Sequence, residues 1–177
     1  SADATNYLGI LYEDMGREKE AEEKYKEAAS KGDKYALENL GSLYRIEKRY
    51  EESEQVLKEA IKKEHIPAIN ILGILYEDMG REKEAEEKYK EAALKGNKYA
   101  LRNLGNLYRL EKRYEESEQA LKEAIRKGDT SALNTLGHLY KDQGRYEEAE
   151  AEYKKSELEG SADATNYLGI LYEDMGR

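Results

Sequence analysis

The pentapeptide Leu40-Gly41-Ser42-Leu43-Tyr44 contains a Leu-Gly pair that returns at a fixed interval along the chain. The copies of this pair are Leu8-Gly9, Leu40-Gly41, Leu72-Gly73, Leu104-Gly105, Leu136-Gly137 and Leu168-Gly169. Each copy follows the previous one by 32 residues. A fixed period of about 20–50 residues is typical of arrays in which one unit cannot bury its apolar face alone. The interval therefore predicts stacked repeats and not a single globular core.

The first half of each repeat has the spacing of an amphipathic helix. In the first repeat, Ala4, Leu8, Leu11 and Tyr12 lie at i, i+4, i+7 and i+8 and share one helical face. Gly16 follows them, and glycine suits the left-handed cap that ends a helix. We therefore predict a helix that ends just before this glycine.

A second helical face follows in the other half of the repeat. It is formed by Ala21, Tyr25, Ala28 and Ala29. Gly32 is suited to end this helix, and Asp33 is placed to cap the next one. Each repeat is thus predicted to form a hairpin of two helices joined by short turns.

The same patterns predict helices along the whole chain. The first helix of each repeat is expected near 2–14, 34–46, 66–78, 98–110, 130–142 and 162–174. The second is expected near 18–31, 50–63, 82–95, 114–127 and 146–158. We expect a single array over 1–177, with repeats 1–32, 33–64, 65–96, 97–128 and 129–160 and a closing helix at 161–177.

Small residues recur as regularly as the large ones. Gly9 lies inside the first predicted helix, where glycine costs about 1 kcal/mol relative to alanine. Its recurrence in every copy predicts that another backbone passes close to it. Ala21 and Ala28 are the matching shallow sites on the second helix, as expected where two helices approach closely.

These positions resemble a known family. They are Leu8-Gly9, Tyr12, Gly16, Ala21, Tyr25 and Ala28. The tetratricopeptide repeat has Leu-Gly, Tyr, Gly, Ala, an aromatic residue and Ala at these spacings. The junction from Ala28 to Gly32, followed by Ala36 and Leu40-Gly41, is similar to the related SEL-like repeat. The usual tetratricopeptide unit has about 34 residues and a proline near its end, so this chain departs from it in length and in having Pro67 as its only proline.

The resemblance covers the whole chain and implies its fold class. That class is an all-α, right-handed superhelical solenoid of antiparallel helix hairpins. The resemblance also implies that a peptide or protein partner binds in the concave groove, which the first helices of the repeats would line.

A second period lies above the first. Leu8–Lys63 matches Leu72–Lys127 at 49 of 56 positions, so the building block is a pair of repeats. The even repeats replace the turn glycine with Lys48 and Lys112, and we predict strained turns there because side chains disfavour a left-handed backbone. Pro67 is interpreted as the start of a helix, where its missing N–H costs nothing.

The two ends of the chain have the same sequence. Ser161–Arg177 is identical to Ser1–Arg17, which favours an engineered or recently duplicated array. The last first-type helix keeps internal residues instead of the polar outer face that a terminal repeat needs. We therefore predict end-to-end association with other copies, because a repetitive exposed end permits a head-to-tail contact. The predicted contact residues are Leu168, Ile170, Leu171, Tyr172 and Met175.

Composition excludes several classes of protein. The net charge is −9 with 39% charged residues, which disfavours nucleic acid as a partner because phosphate binding needs clustered Lys and Arg. No apolar run approaches the roughly 20 residues of a membrane span, and no signal peptide is visible. The chain has no cysteine, so it lacks disulfides, thiol catalysis and thiolate metal sites. A natural protein of this kind is expected in the cytoplasm.

No pattern points to catalysis, a metal or a cofactor. His65 and His138 lie in different repeats, and a zinc site needs about four ligands, so both are interpreted as ordinary surface or groove residues. Adjacent acidic residues such as Glu13 and Asp14 point in different directions on a helix. The repeated tyrosines are predicted to be core residues whose hydroxyl groups reach an edge. They are Tyr12, Tyr44, Tyr76, Tyr108, Tyr140 and Tyr172.

The groove is the one candidate binding site. The candidate residues are Asn6, Asn70, Arg102, Asn106, Arg109, Asn134 and His138. By resemblance, Arg102 and Arg109, with their neighbouring amides, would hold a peptide carboxylate, which suits guanidinium donors. The alternative is that neighbouring helices pair their own charges, since the row from Glu13 to Glu173 carries both signs. Two hypotheses stay open, a peptide-binding module and a structural array that assembles with itself; an enzyme is disfavoured.

Overall fold

The computed structural model describes residues 1–176 of the chain and shows helices joined by short turns. Within that range the helices are α1 (Ala2–Asp14), α2 (Glu18–Ser30), α3 (Lys34–Ile46), α4 (Tyr50–Lys62), α5 (Ile66–Asp78), α6 (Glu82–Leu94), α7 (Ala100–Leu110), α8 (Tyr114–Arg126), α9 (Ala132–Asp142), α10 (Tyr146–Leu158) and α11 (Ala162–Asp174). The described residues contain no strand. The predicted closing helix is present as α11, while Arg177, the last residue of the predicted range, lies outside the described residues.

The helices fall into two compact units. The N-terminal unit is Ser1–Lys95 and holds α1 to α6, and the C-terminal unit begins at Gly96 and holds α7 to α11. Each odd-numbered helix from α1 to α9 packs against the even-numbered helix that follows it, which forms the predicted hairpins. Within each unit the second helix of a hairpin also packs on the next odd-numbered helix, except where the unit ends. The prediction of one array over 1–177 remains a prediction.

Local chemistry explains where the helices begin. The Asp33 carboxylate accepts hydrogen bonds from the amides of Tyr35, at 2.9 Å, and Ala36, at 3.3 Å, which satisfies donors that a helix leaves unpaired. This confirms the predicted cap. Pro67 lies in the first turn of α5, as predicted. Helices α7 and α9 begin two residues later than expected, at Ala100 and Ala132.

The turns without glycine are strained, as predicted. Lys48 and Lys112 have φ of 61° and 60°, in the left-handed region that Gly16 occupies with φ of 68° in the first repeat. Glu64 shares this conformation with φ of 59°. A side chain in this region costs roughly 1–2 kcal/mol, so the surrounding hairpins hold these turns in place.

Glycine is needed inside α1, α3, α5, α7 and α9 chiefly because a side chain, and not a backbone, lies against it. A Cβ atom on Gly9 would lie 2.6 Å from the Tyr25 ring, and one on Gly41 would lie 2.6 Å from the Leu57 side chain. Gly73, Gly105 and Gly137 are equivalent, with Tyr89, Leu121 and Tyr153 as the neighbours. A closely passing backbone is found only at Gly105, where a Cβ would lie 3.4 Å from the Leu121 amide nitrogen; at Gly9, Gly41, Gly73 and Gly137 the three nearest atoms belong to a side chain, so the prediction is wrong there. A large side chain from the second helix of the hairpin occupies the space of the missing Cβ.

Four of the six repeated tyrosines are buried, as predicted, whereas Tyr12 and Tyr172 are only half-buried. Tyr44, Tyr76 and Tyr140 are 3–4% exposed. Their hydroxyl groups donate to Glu22, Glu54 and Glu118 at 2.8–2.9 Å. Burying the ring while bonding the hydroxyl gives these three hairpins an anchor against the helix before them.

Candidate functional site

The groove residues of the N-terminal unit are engaged within the protein. Asn6 is 7% exposed, and its side-chain oxygen accepts a hydrogen bond from Asn39 at 2.9 Å. Asn70 is also buried, at 8% exposed. A buried amide that bonds the next odd-numbered helix acts first as a structural contact.

A cavity of about 520 Å³ lies between α1 and α3 of this unit. Its lining includes Asp3, Tyr7, Ile10, Tyr35 and Glu38. Tyr7 and Tyr35 are 70% and 58% exposed. Asp33 also contributes a carboxylate to the lining, which contains no lysine or arginine. This chemistry suits a cation, unlike the carboxylate that is predicted to bind at Arg102 and Arg109.

One wall of this cavity is fixed by a histidine that sequence reasoning treated as an ordinary surface or groove residue. His65 is 3% exposed, and its Nε2 contacts the Glu38 carboxylate. The Tyr35 ring meets the His65 ring edge to face at 4.9 Å between centroids. The position of His65 at the start of α5 is visible in the sequence, but its partners lie on α3 and appear only after folding.

The first guanidinium of the proposed carboxylate clamp already has an acidic partner. Arg102 Nη1 donates to Asp129 Oδ1 at 3.2 Å, and Asp129 is 3% exposed. Burial raises the pKa of Asp129, against the effect of the Arg102 charge. Asp129 is the equivalent of Asp33 three repeats later, and the sequence did not indicate this ion pair.

The second guanidinium is paired twice. Arg109 Nη1 donates to the Asp142 carboxylate, and Arg109 Nη2 donates to Asn106 Oδ1 at 3.1 Å. Lys141 Nζ likewise lies 2.7 Å from Asp174 Oδ2, and in the N-terminal unit Arg45 lies 2.6 Å from Asp78. Neighbouring odd-numbered helices therefore pair charges, as the alternative held, although the acceptors are aspartates at the helix ends.

The remaining candidates lie against α11. Asn134 Nδ2 donates to Ser161 Oγ at 3.0 Å. The His138 ring is half-buried, with Nδ1 2.7 Å from the Tyr153 hydroxyl and the Tyr167 ring 4.5 Å away between centroids. Burial, and next the charge of Arg109, lower the pKa of His138. Both residues thus help to seat the last helix.

The end helices bury opposite faces although their sequences are identical. In α11, Leu168 is 7% exposed and Leu171 is fully buried in the core of the fifth hairpin. In α1, Leu8 is half-buried and Leu11 is 52% exposed. On the opposite face of the helix, the residues of α1 are buried and those of α11 are exposed. Asn6 and Gly9 are buried under α2 and α3, and their counterparts Asn166 and Gly169 are exposed.

This burial corrects part of the predicted contact surface at the C-terminal end. Leu168 and Leu171 face α10 and are unavailable to another chain. Tyr172 and Met175 are half-buried against the same core, and Ile170 is 41% exposed. The free face of α11 is instead the one that contains Asn166 and Gly169.

Residues 1–176 contain no group of three or more His, Cys, Asp or Glu side chains placed to hold a metal ion. No helix in the same range is long and apolar enough to cross a membrane. The features available for binding are the acidic cavity in the N-terminal unit and the uncovered faces of the end helices α1 and α11.

Comparisons with known proteins agree on the fold. A tetratricopeptide repeat family model matches residues 8–66 and 72–132, and another model of this repeat matches 130–157. No curated protein matches the chain. A tetratricopeptide protein of Thermus thermophilus superposes with a TM-score of 0.78 at 20% identity, covering 97% of this chain and 98% of that one. A Sel1 repeat protein from Oxalobacter formigenes gives a TM-score of 0.70 at 28% identity, covering 97% and 78%. The all-α solenoid class and the similarity to both repeat types are thereby confirmed.

Proposed function

Because the chain belongs to the tetratricopeptide repeat family, we propose that it is a non-catalytic scaffold, engineered or recently duplicated, that associates end to end with copies of itself. Repeats of this family generally mediate contacts between proteins, and their fold is typically a scaffold without catalysis. One observation supports self-association above others. The outer face of α1 leaves Tyr7, Leu11 and Met15 at 52–70% exposure, while the same sequence in α11 buries its equivalent leucine completely.

The absence of cysteine makes this proposal directly testable. Asp3 and Asp163 are exposed equivalents in the two identical segments, so Asp3→Cys and Asp163→Cys allow one dye at either end. Mixing donor-labelled Asp3→Cys chains with acceptor-labelled Asp163→Cys chains should give energy transfer that rises with concentration. Mixing two populations labelled at the same end should give much less.

Sedimentation velocity over the same concentration series supplies the second measurement. If the unaltered chain stays monomeric up to about 1 mM, self-association of the unaltered chain is contradicted. A matched control is Leu94→Lys, because Leu94 is 90% exposed but belongs to α6, which is neither of the two end helices. If Leu94→Lys abolishes association, the chains associate through α6 and not end to end.

A peptide-binding module is the second candidate, and the cavity between α1 and α3 favours it. Its carboxylates and exposed tyrosines suit a basic peptide, because ammonium and guanidinium groups bind to both. The clamp at Arg102 and Arg109 would instead take an acidic peptide, which must displace Asp129 and Asp142 from these guanidinium groups. We regard the basic peptide as the better-supported ligand.

Fluorescence anisotropy with two labelled peptides separates these sites. Asp3→Asn with Glu38→Gln should weaken binding of a Lys- and Arg-rich peptide about tenfold or more, since two charge-assisted contacts are lost. Arg102→Ala with Arg109→Ala should leave that affinity unchanged. The clamp would be correct, and the cavity would not be the site, under one result. In that result only Arg102→Ala with Arg109→Ala weakens binding, and the peptide whose binding is weakened is the acidic one.

A further inference from the structure

The face that is uncovered in α1 is covered in α11, and the face that is uncovered in α11 is covered in α1. In α1 the face with Gly9 is covered by α2, whose Tyr25 ring fills the space beside the glycine and donates its hydroxyl to Glu13 Oε2 at 2.6 Å. In α11 the same face is open, and a Cβ on Gly169 would meet nothing within 4 Å. The other face is open in α1 and covered in α11.

Each end helix therefore carries two sets of contact residues and uses one. The set that α1 uses is Asn6, Gly9 and Glu13, and α11 repeats it as Asn166, Gly169 and Glu173, all exposed. The set that α11 uses includes Leu171, buried by α10, and Asp174, paired with Lys141. In α1 the matching residues are Leu11 and Asp14, and both are exposed.

Helix α5 shows that one such helix satisfies both sets at once. Its segment 68–78 differs from 4–14 of α1 only at two positions, Ile69 and Ile71. Leu72 and Leu75 are 1% and 0% exposed on one side, while Gly73 lies beside the Tyr89 ring on the other. The helix that covers Gly73 is α6, which differs from α2 only in its last residue.

We propose that copies of the 177-residue chain join by helix exchange, in which α11 of one copy takes the place of α1 on α2 of the next. This proposal rests on the proposed end-to-end association and specifies its route. At such a junction a single helix lies between α10 of one copy and α2 of the other, as α5 lies between α4 and α6 inside the chain. Gly169 would then lie beside Tyr25 of the second copy, and its α1 would be released.

Simple stacking of the two ends does not reproduce these contacts. Stacking would place α11 against α1. Elsewhere in the fold, the faces that are open in these two helices are covered by even-numbered helices, and both α1 and α11 are odd-numbered. Exchange keeps every contact type that the monomer has, so the released α1 competes with the incoming α11. Association of the unaltered chain should accordingly be weak, and any change that loosens α1 alone should strengthen it.

Three full-length variants test the exchange by sedimentation velocity. Gly9→Ala places a methyl group against the buried Tyr25 ring and loosens α1, while the α11 of other copies keeps its glycine. Association should strengthen about tenfold or more. Gly169→Ala adds a methyl group in open space, so the monomer should fold normally and its association should fall below that of the unaltered chain. The double variant should lose the gain of Gly9→Ala.

The outcomes separate the two proposals. If the unaltered chain and Gly9→Ala both stay monomeric, end-to-end association itself is wrong. If the chain associates equally with and without Gly169→Ala, it associates by another contact and exchange is overturned. Circular dichroism of each variant checks folding. Should Gly9→Ala prove unfolded, the comparison of the unaltered chain with Gly169→Ala still decides the matter.

Discussion

Helices α1 and α11 are 13 residues long and identical in sequence, yet they bury different faces. In α1 the buried residues are Asn6 and Gly9, and in α11 they are Ala164, Leu168 and Leu171. Both helices form because their intrahelical hydrogen bonds and apolar spacing are the same. Which face is buried depends on whether the neighbouring even-numbered helix follows or precedes, so identical substitutions at the two ends should have unequal effects.

The largest inequality is expected at the leucine one turn before the helix end. Leu171→Ala empties a fully buried site and should lower the free energy of unfolding by about 2–5 kcal/mol. Leu11→Ala acts at a position that is 52% exposed and should cost less than about 1 kcal/mol. Urea unfolding followed by circular dichroism measures both. Equal losses would show that α1 is covered in solution.

The glycines should respond in the opposite order. Gly9→Ala forces a methyl group into the Tyr25 ring and should destabilise the chain by about 1–3 kcal/mol. Gly169→Ala meets open space and removes a helix-breaking residue, so it should stabilise α11 by up to about 1 kcal/mol. Thermal unfolding at low concentration, where the chain is monomeric, gives the comparison. A destabilising Gly169→Ala would mean that this face is already occupied.

The asparagines test the polar part of the same face. Asn6→Ala removes the acceptor of the Asn39 amide in a buried position and should cost about 0.5–1.5 kcal/mol. Asn166→Ala acts on an exposed residue and should lie within about 0.5 kcal/mol of the parent. Urea midpoints again provide the measurement, with Asn166→Ala as the matched control. If the two losses are the same, the Asn6–Asn39 bond adds nothing to stability.

The smallest expected effect is a pH dependence confined to the α11 end. Tyr167 packs on neutral His138, whereas the equivalent Tyr7 is 70% exposed. Burial lowers the pKa of His138 below its ordinary 6.5, so the unfolded chain takes up a proton that the folded chain resists. The stability from His138 is therefore present above about pH 6.5 and is lost as pH falls through the folded pKa.

Urea midpoints at pH 7.5 and 5.5 should show this loss in the parent and a smaller one in His138→Gln. Carboxylates such as Glu22, whose pKa the Arg49 hydrogen bond lowers to about 2 from 4.5, act only at lower pH. An unchanged loss in His138→Gln would show that His138 is not the source of the effect.

The candidate site was less predictable than the fold, for a physical reason. Arg102 and Arg109 were correctly placed on odd-numbered helices, but their charge is balanced by Asp129 and Asp142, which follow 27 and 33 residues later. A repeat pattern indicates which positions share a face and leaves open which long side chains meet across it. The cavity beside Tyr35 likewise depends on contacts between α1 and α3 that no single helix encodes.

The helices, their turns and the hairpin pairing could be predicted from the amino-acid sequence, because they depend on apolar spacing, capping residues and left-handed turn positions within a few residues of one another. The need for a small residue opposite Tyr25 and its equivalents could be predicted as well. Which face of α1 and of α11 is buried, and which carboxylate balances each arginine, became visible only in the folded chain. Two identical segments cannot differ in their intrinsic preferences, so their different burial comes entirely from the helices packed beside them.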